Sequence, residues 1–342
     1  MRDGIPGVPA TGAGAPEPAS RLKALRIGVL RNPLSGANLG AGASMRRLLG
    51  GHPEVPCRDV SDPDAVRRAL EEMAQCGVNT IAISGGDGTV SAVLNTIFAH
   101  DPFPHLPLLA VLRGGTANMT ARDVGMQGRQ DRALRSLLEA AARGGEGLTV
   151  VERPIMRIAP GPGRPPIHGM FFGAAAIAQG IEYCKRNVHT LGLRGEIGPA
   201  VTIARFVLAM ARGDRRIVAP VPVAVAIDGA SAAAFDCEIM YVTTLERMVL
   251  GLRPYWGGEA APLHYVSVRG GPRHWLKALP GLLRGRPNRY ATPANGYESH
   301  NAHRFEVALD SSFFVDGEIY APAPGAPLTI TRGGTAGFLR TR

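Results

Sequence analysis

The first 150 residues alternate short apolar runs with amphipathic segments. Strands are predicted at Arg26–Leu30, Thr80–Ile83 and Leu108–Leu112, where apolar residues follow one another almost without interruption. Asp64–Gln75 carries apolar residues at helical spacing, and a further helix is predicted from about Val90 to Phe98. Alternation of this kind predicts an α/β domain with a parallel sheet and helices on both of its faces.

The pattern changes near Val150, where short β-like runs separated by turn residues replace the helices. One or two helices interrupt them, most clearly at Val201–Arg212 and His274–Leu283. We therefore predict a C-terminal β-sandwich-like domain. The expected organisation is a disordered leader at 1–24, an α/β domain at 25–148, a β-rich domain at 149–332, and a tail at 333–342 that returns to the first domain.

Charge and composition exclude few classes of binding partner. The net charge of +10 fits an anionic partner, which is a nucleotide, a membrane surface or a nucleic acid. A GC-rich genome would give the same arginine bias, so composition does not choose among them. No nucleic-acid-binding module is recognisable, and the nine histidines show no zinc-ligand spacing.

The chain shows no targeting or membrane-spanning segment by its pattern. Residues 1–20 lack the apolar core of a signal peptide, and the longest apolar stretch, Ile197–Ala211, is short and interrupted by Arg205. The four cysteines form no CxxC pair, which is typical of reduced thiols. We expect a cytoplasmic protein that associates peripherally with the inner face of the membrane, if it meets one.

The strongest chemical signal is the run Ser84–Thr89, SGGDGT, between a predicted strand and a predicted helix. Glycines allow close approach of the backbone to a ligand, and the amides at a helix start bind phosphate oxygens. Asp87 within such a turn would repel phosphate unless a cation lay between them, and Mg²⁺ accepts such ligands. The alternative is a tight turn in which Asp87 is only a helix cap.

Two further turns are predicted at the same edge of the sheet. Asn32–Gly36 follows the first strand, and Arg113–Asn118 follows the third. Because the carboxyl ends of parallel strands share one crevice, the three turns are expected to form one nucleotide pocket.

These motifs together resemble the diacylglycerol kinase catalytic-domain family, which includes bacterial lipid kinases, sphingosine kinases and ceramide kinases. The resemblance rests on NPLSG at 32–36, GGDGT at 85–89 followed by Asn95, GGTAN at 114–118 and DGE at 316–318, and it spans about residues 25–340. GGDGT is shared with NAD kinases and phosphofructokinases, whereas GTAN and DGE favour the lipid branch.

The resemblance implies an ATP-dependent lipid kinase in which the first domain binds the nucleotide and the second binds the lipid. Glu318 would be the general base for the acceptor hydroxyl, and Asp87 would orient Mg²⁺ through water. The implied nucleotide-binding residues are Asn32, Ser35, Gly36, Gly85, Gly86, Gly88, Thr89, Gly115, Thr116 and Asn118. The acceptor would be diacylglycerol or a sphingoid lipid such as ceramide or sphingosine.

Two departures from the family pattern bear on this reading. Met119 stands where many members carry an acid, and Asp123 lies about one helical turn later. Sphingosine kinases also lack that acid, so Met119 favours a sphingoid acceptor. Ala261–Tyr265 has no acid where bacterial members hold a structural Mg²⁺, so we do not expect that metal. Alternatives are an NAD kinase-type enzyme and a non-catalytic protein that binds lipid or nucleotide.

A basic segment suggests how the protein meets lipid. No acid lies between Glu259 and Glu298, and the helical part combines Trp275 with several leucines. A basic amphipathic helix with tryptophan is typical of an interfacial anchor to an anionic membrane. The alternative is a surface helix with solvated arginines. The cations are Arg269, Arg273, Lys277, Arg284, Arg286 and Arg289.

Overall fold

The computed structural model of the chain describes residues 21–36, 38–115, 118–191, 212, 214–215, 218–248 and 251–341. For residues 38–42 and 184–191 it describes the helical backbone alone. The predicted leader therefore lies almost wholly outside the described residues, and so does the predicted helix at Val201–Arg212, apart from its last residue. Thr116 of the second glycine turn also lies outside them.

Four parallel strands form the N-terminal part of the sheet, in the order β2-β1-β3-β4. Their inner members are buried almost throughout, which explains why they read as uninterrupted apolar runs. The strands are β1 Ile27–Arg31, β2 Cys57–Asp59, β3 Thr80–Gly85 and β4 Leu108–Arg113.

In the described part of the chain, five helices accompany these strands. The second of them, α2, shows how the sequence sets its ends: Asp62 accepts a hydrogen bond from the Ala65 N–H, and Pro63 occupies the first turn. Its Val66, Leu70 and Met73 then face the core. The helices are α1 Asn38–Gly50, α2 Pro63–Gln75, α3 Asp87–His100, α4 Met119–Asp123 and α5 Gln130–Ala142.

The C-terminal part consists mainly of antiparallel strands. Two α-helices lie within the described residues of this part, α6 Ala176–Leu191 and α7 Trp275–Leu283. The strands are β5 Leu148–Ala159, β6 Ile167–Gly169, β7 Phe171–Ala175, β8 Val221–Ile227, β9 Ala233–Thr243, β10 Leu263–Arg269, β11 Tyr297–Ala302, β12 Arg304–Leu309, β13 Phe313–Val315, β14 Glu318–Tyr320 and β15 Leu328–Thr341.

The long strand β15 joins the two parts into one sheet. It pairs with β12 near its start and with β5 along most of its length, and its Phe338 pairs in parallel with Leu109 of β4. The sheet therefore runs without a break from β14 to β2 in the order β14-β13-β7-β9-β8-β12-β15-β4-β3-β1-β2. Hydrogen bonding along β15 fixes the two parts relative to each other.

The predicted fold class is confirmed: parallel strands with helices come first, and antiparallel strands follow. The division into ranges at 24, 148 and 332 stays a prediction, because β5 and β15 belong to both sides of it. Within the described residues, no helix has the length and apolarity needed to cross a membrane.

Candidate active site

The glycine turn after β3 leads directly into α3. Gly86 is the N-cap of this helix and offers no side chain to the free amides of the first turn. Gly88 and Thr89, in that turn, line a cleft of about 1530 Å³. An uncapped helix start that faces a cleft is suited to bind the oxygens of a phosphate group.

The turn after β1 supports the same helix start from the side. The Asn32 side-chain amide donates to the Thr89 hydroxyl at 3.0 Å, and its carbonyl oxygen accepts from the Leu34 N–H at 2.9 Å. Asn32 and Ser35 both line the cleft, whereas Gly36 is exposed and does not. The first turn thus contributes one wall of the cleft, as expected for strands with adjacent carboxyl ends.

The second glycine turn packs against the first one instead of lining the cleft. The Gly114 N–H donates to the Gly85 carbonyl at 3.1 Å. A Cβ on Gly115 would lie 2.5 Å from the Gly86 Cα, so only glycine permits this approach of two backbones. The Asn118 side chain closes its own turn, accepting from the Gly115 N–H and donating to the Gly115 carbonyl.

Asp87 also turns away from the cleft. Residue Asp87 is half-buried, and its carboxylate accepts from the backbone N–H groups of Met119 and Thr120 at 3.1 and 3.0 Å. It therefore caps α4 from outside that helix. Burial raises the pKa of the Asp87 carboxyl group, while the two N–H donors act in the opposite direction.

This geometry does not fit direct ligation of Mg²⁺ by Asp87. Both carboxylate oxygens already accept backbone hydrogen bonds, and Asp87 is not among the residues that line the cleft. Across the described ranges, no group of three His, Cys, Asp or Glu residues could hold a metal ion. A role of Asp87 toward magnesium stays a prediction that the observed contacts do not favour.

The DGE motif forms the two-residue turn between β13 and β14. Asp316 and Gly317 both have positive φ, 39° and 113°, as a tight hairpin turn of the Asp-Gly type requires. The Asp316 carboxylate accepts from the N–H groups of Met170 and Phe171 at 2.6 and 2.9 Å, which ties the turn to β7. Burial raises the pKa of Asp316 to about 8, and neighbouring Asp87 adds to this effect.

The DGE turn lies directly on the start of α3. A Cβ on Gly317 would stand 2.8 Å from the Gly88 nitrogen, so the two backbones are in contact. Glu318 then projects beside the helix start: its Oε1 is 3.6 Å from where a Cβ on Gly88 would stand. Glu318 is exposed and lines the same cleft as Gly88 and Thr89.

The opposite end of the cleft was not foreseen from the sequence. The Asn95 side chain accepts from the His168 N–H at 2.7 Å and donates to the His168 carbonyl at 3.0 Å, which joins α3 to β6. From the sequence, Asn95 is only one residue of the family motif. The signal for its contact with His168 is a side-chain amide within a mainly apolar helix.

His168 and Arg157 face the cleft from the second domain. The ring of His168 is buried against Phe98, and its Nδ1 has no hydrogen-bond partner among the described residues. Burial, and next the charge of Arg157, lower the pKa of His168 to about 4. Arg332 of β15 and Arg67 of α2 also line the cleft, as do the acids Asp62, Asp64 and Glu318.

Asp123, considered as a substitute for the missing acid at position 119, lies elsewhere. Its carboxylate is buried and forms an ion pair with Arg153, with Nε–Oδ2 and Nη2–Oδ1 distances of 3.0 and 3.4 Å. Arg153 also contacts Glu246 at 3.2 Å. Asp123 does not line the cleft, so its contacts are those of a structural ion pair.

The structure thus separates the predicted site residues into two groups. Those that line the cleft are Asn32, Ser35, Gly86, Gly88, Thr89 and Glu318. Those that do not line it are Gly36, Gly85, Asp87, Gly115 and Asn118, while Thr116 lies outside the described residues. Except for Gly36, the second group holds the turns against one another.

Part of the chain is similar to a known protein family. Residues 26–149 match the family model of the diacylglycerol kinase catalytic domain. A search among curated proteins finds no match.

Solved structures share the fold over nearly the whole chain. A diacylglycerol kinase from Bacillus anthracis str. Sterne is 16% identical with a TM-score of 0.56, covering 92% of this chain and 96% of the other. A candidate diacylglycerol kinase from the same organism is 17% identical with a TM-score of 0.62, covering 93% and 97%. At such identities the likeness establishes the fold and not the substrate.

The motifs and the family model therefore agree on one resemblance: residues 26–149 are similar to the catalytic domain of the diacylglycerol kinase family.

Proposed function

We propose that this protein is an ATP-dependent lipid kinase, which transfers the γ-phosphate of ATP to the hydroxyl group of a membrane lipid. The observation that carries the proposal is the position of Glu318. This carboxylate stands beside Gly88, at the uncapped start of α3, within one cleft. A base for the acceptor and a binding site for the phosphates of the donor are thus adjacent.

The cleft has the size for ATP, and two of its arginines could contact the phosphate groups. Its volume of about 1530 Å³ exceeds that of ordinary small-molecule pockets, which leaves room for donor and acceptor together. The amide of Gly88 would bind a phosphate oxygen, and Arg157 and Arg332 would balance the phosphate charge. Phosphoryl transfer depends mainly on such positioning and charge neutralisation.

In the proposed reaction, the acceptor hydroxyl gives its proton to the Glu318 carboxylate as its oxygen attacks the γ-phosphorus. A bond forms between that oxygen and phosphorus, and the bond between phosphorus and the β–γ bridging oxygen breaks. The products are the lipid phosphate and ADP, and the proton leaves Glu318 for solvent. Because Glu318 is exposed to the cleft, this proton has a direct path to water.

The acceptor is diacylglycerol or a sphingoid lipid, and Met119 favours the sphingoid class. Met119 is buried, and its N–H donates to Asp87. An apolar side chain suffices there because position 119 contributes its backbone to the contact with Asp87. As such acceptors reside in membranes, we place the protein in the cytoplasm, peripherally bound to the inner face of the membrane.

The proposal is tested with purified protein, radiolabelled ATP and Mg²⁺ in mixed micelles. The acceptor panel contains diacylglycerol, monoacylglycerol, ceramide and sphingosine, with NAD as the acceptor of the alternative enzyme class. Labelling of one lipid, with none of NAD, is the expected result. Labelling of NAD alone would identify an NAD kinase-type enzyme. ATP binding without labelling of any acceptor would identify a non-catalytic nucleotide-binding protein.

A further inference from the structure

The helix α7, Trp275–Leu283, is apolar on two opposite sides. Trp275, Ala278 and Leu282 are buried in a cluster with Tyr297 of β11. This corrects the sequence-based expectation that Trp275 faces lipid: its ring stacks parallel to Tyr297, inside the domain. Packing on the sheet accounts for one side of the helix only.

The other side of α7 presents leucines to solvent. Leu276 is 65% exposed and Leu283 is 38% exposed. They are seven residues apart, so they lie on the same face, with Pro280 also exposed between them. Only two other large apolar side chains among the described residues are comparably exposed, Leu34 and Leu106. A face of this kind marks an interaction site more often than scattered leucines do.

Exposed cations surround these leucines. None of these five arginine and lysine side chains forms an ion pair with another described residue. Their contacts are local: Arg284 donates to the Pro280 carbonyl, and Lys277 lies over the Tyr290 ring. No acid occurs between Glu259 and Glu298 to balance them. The cations are Arg273, Lys277, Arg284, Arg286 and Arg289.

We infer that this outer face of α7 docks on the surface of an anionic lipid bilayer, with Leu276 and Leu283 inserted among the acyl chains and the surrounding cations at the headgroups. Leucines flanked by arginine and lysine match the two layers of an anionic membrane interface, which are the apolar acyl chains and the negatively charged headgroups. A protein partner would need acidic side chains next to an apolar pocket. An anionic bilayer offers negative charge next to an apolar interior over its whole surface. The inference is independent of phosphoryl transfer.

Vesicle co-sedimentation without ATP tests the docking. Vesicles of phosphatidylcholine alone are compared with vesicles that contain equal parts of phosphatidylcholine and phosphatidylglycerol, at low and high salt. The wild type is expected to bind the anionic vesicles, less so at high salt. Lys277→Gln with Arg284→Gln should weaken this binding about 5-fold per charge removed. Leu276→Ser with Leu283→Ser should weaken it about 10-fold or more at either salt concentration.

Two control variants keep the test specific. Leu106→Ser changes an exposed leucine of the first domain, and Arg132→Gln with Arg135→Gln removes two exposed charges from α5. Neither should change vesicle binding. Equal loss in control and test variants, or equal binding to both kinds of vesicle, would overturn the inference. A wild type that forms a dimer and does not bind vesicles, with dissociation of that dimer in the Leu276→Ser, Leu283→Ser variant, would also overturn the inference.

Discussion

The backbone N–H of Thr120 donates to the Asp87 carboxylate at 3.0 Å, across 33 residues of sequence. With the parallel bond from Met119, this contact ties the start of α3 to the start of α4. Asp87 of the GGDGT motif therefore fixes the two glycine turns relative to each other, independently of any role in nucleotide binding.

Replacement of Asp87 should consequently affect folding as well as catalysis. In Asp87→Asn the side-chain NH₂ cannot accept a hydrogen bond, so one of the two N–H groups is left without its acceptor. We expect a loss of about 1–3 kcal/mol in the free energy of unfolding, measured by urea denaturation, and at least about 10²-fold lower turnover.

The control is Asp228→Asn, since Asp228 also accepts from two backbone N–H groups, those of His303 and Arg304, but in an exposed turn. This variant should lose less than about 1 kcal/mol and remain fully active. An Asp87→Asn protein as stable as the wild type would show that the contacts with α4 contribute little.

Glu318→Gln tests the proposed base. Glutamine keeps the size of the side chain but cannot accept the proton of the acceptor hydroxyl, so turnover should fall about 10²–10⁴-fold. ATP affinity, measured by calorimetry, should stay near that of the wild type. A rate within a few-fold of the wild type on the best lipid would remove Glu318 from the mechanism.

Gly317→Ala tests whether contact between the DGE turn and α3 is needed. The new Cβ would approach the Gly88 nitrogen and Cα at 2.8 and 2.9 Å, and backbone atoms cannot move aside cheaply. We expect turnover to fall at least about tenfold, because Glu318 is displaced from the helix start.

Gly325→Ala is the matched control, since Gly325 also has a positive φ but would place its Cβ in open space. It should cost about 1–2 kcal/mol of stability and no activity. If both variants kept full turnover, the contact between Gly317 and Gly88 would not position the base.

Asp123→Asn separates a catalytic role of that acid from a structural one. Loss of the carboxylate leaves the buried Arg153 with only the exposed Glu246 as a charged partner, so stability should drop by about 3 kcal/mol. The turnover of the folded fraction should be unchanged. A selective loss of turnover with unaltered unfolding would restore Asp123 as the substitute for the acid missing at Met119.

The buried His168 should make the protein sensitive to mild acid. Its pKa is about 4 in the folded protein and about 6.5 in the unfolded chain, so between these values the unfolded state binds more protons. The free energy of unfolding should therefore fall as the pH drops from about 6.5 to 4. His168→Leu removes this contribution, and urea denaturation across that range should show a shallower decline. Parallel profiles for both proteins would contradict the shift.

Local sequence determined the elements and where the chemistry would gather. The apolar runs of β1, β3 and β4 predicted buried parallel strands, and the carboxyl ends of such strands necessarily meet at one edge. The Asp316–Gly317 pair is typical of a tight turn, because such residues adopt its positive φ values readily. These features depend on residues close together in the chain.

Only the tertiary structure decided whether each motif residue faces the cleft or a distant part of the chain. Gly115 meets Gly86, Asp87 meets Thr120, and Asp316 meets Met170 across 146 residues. Trp275 turned inward for the same reason, since the core around Tyr297 sets the orientation of α7. Periodicity and spacing specify an element and its apolar side, but the partner that covers that side comes from distant chain, and no local pattern encodes it.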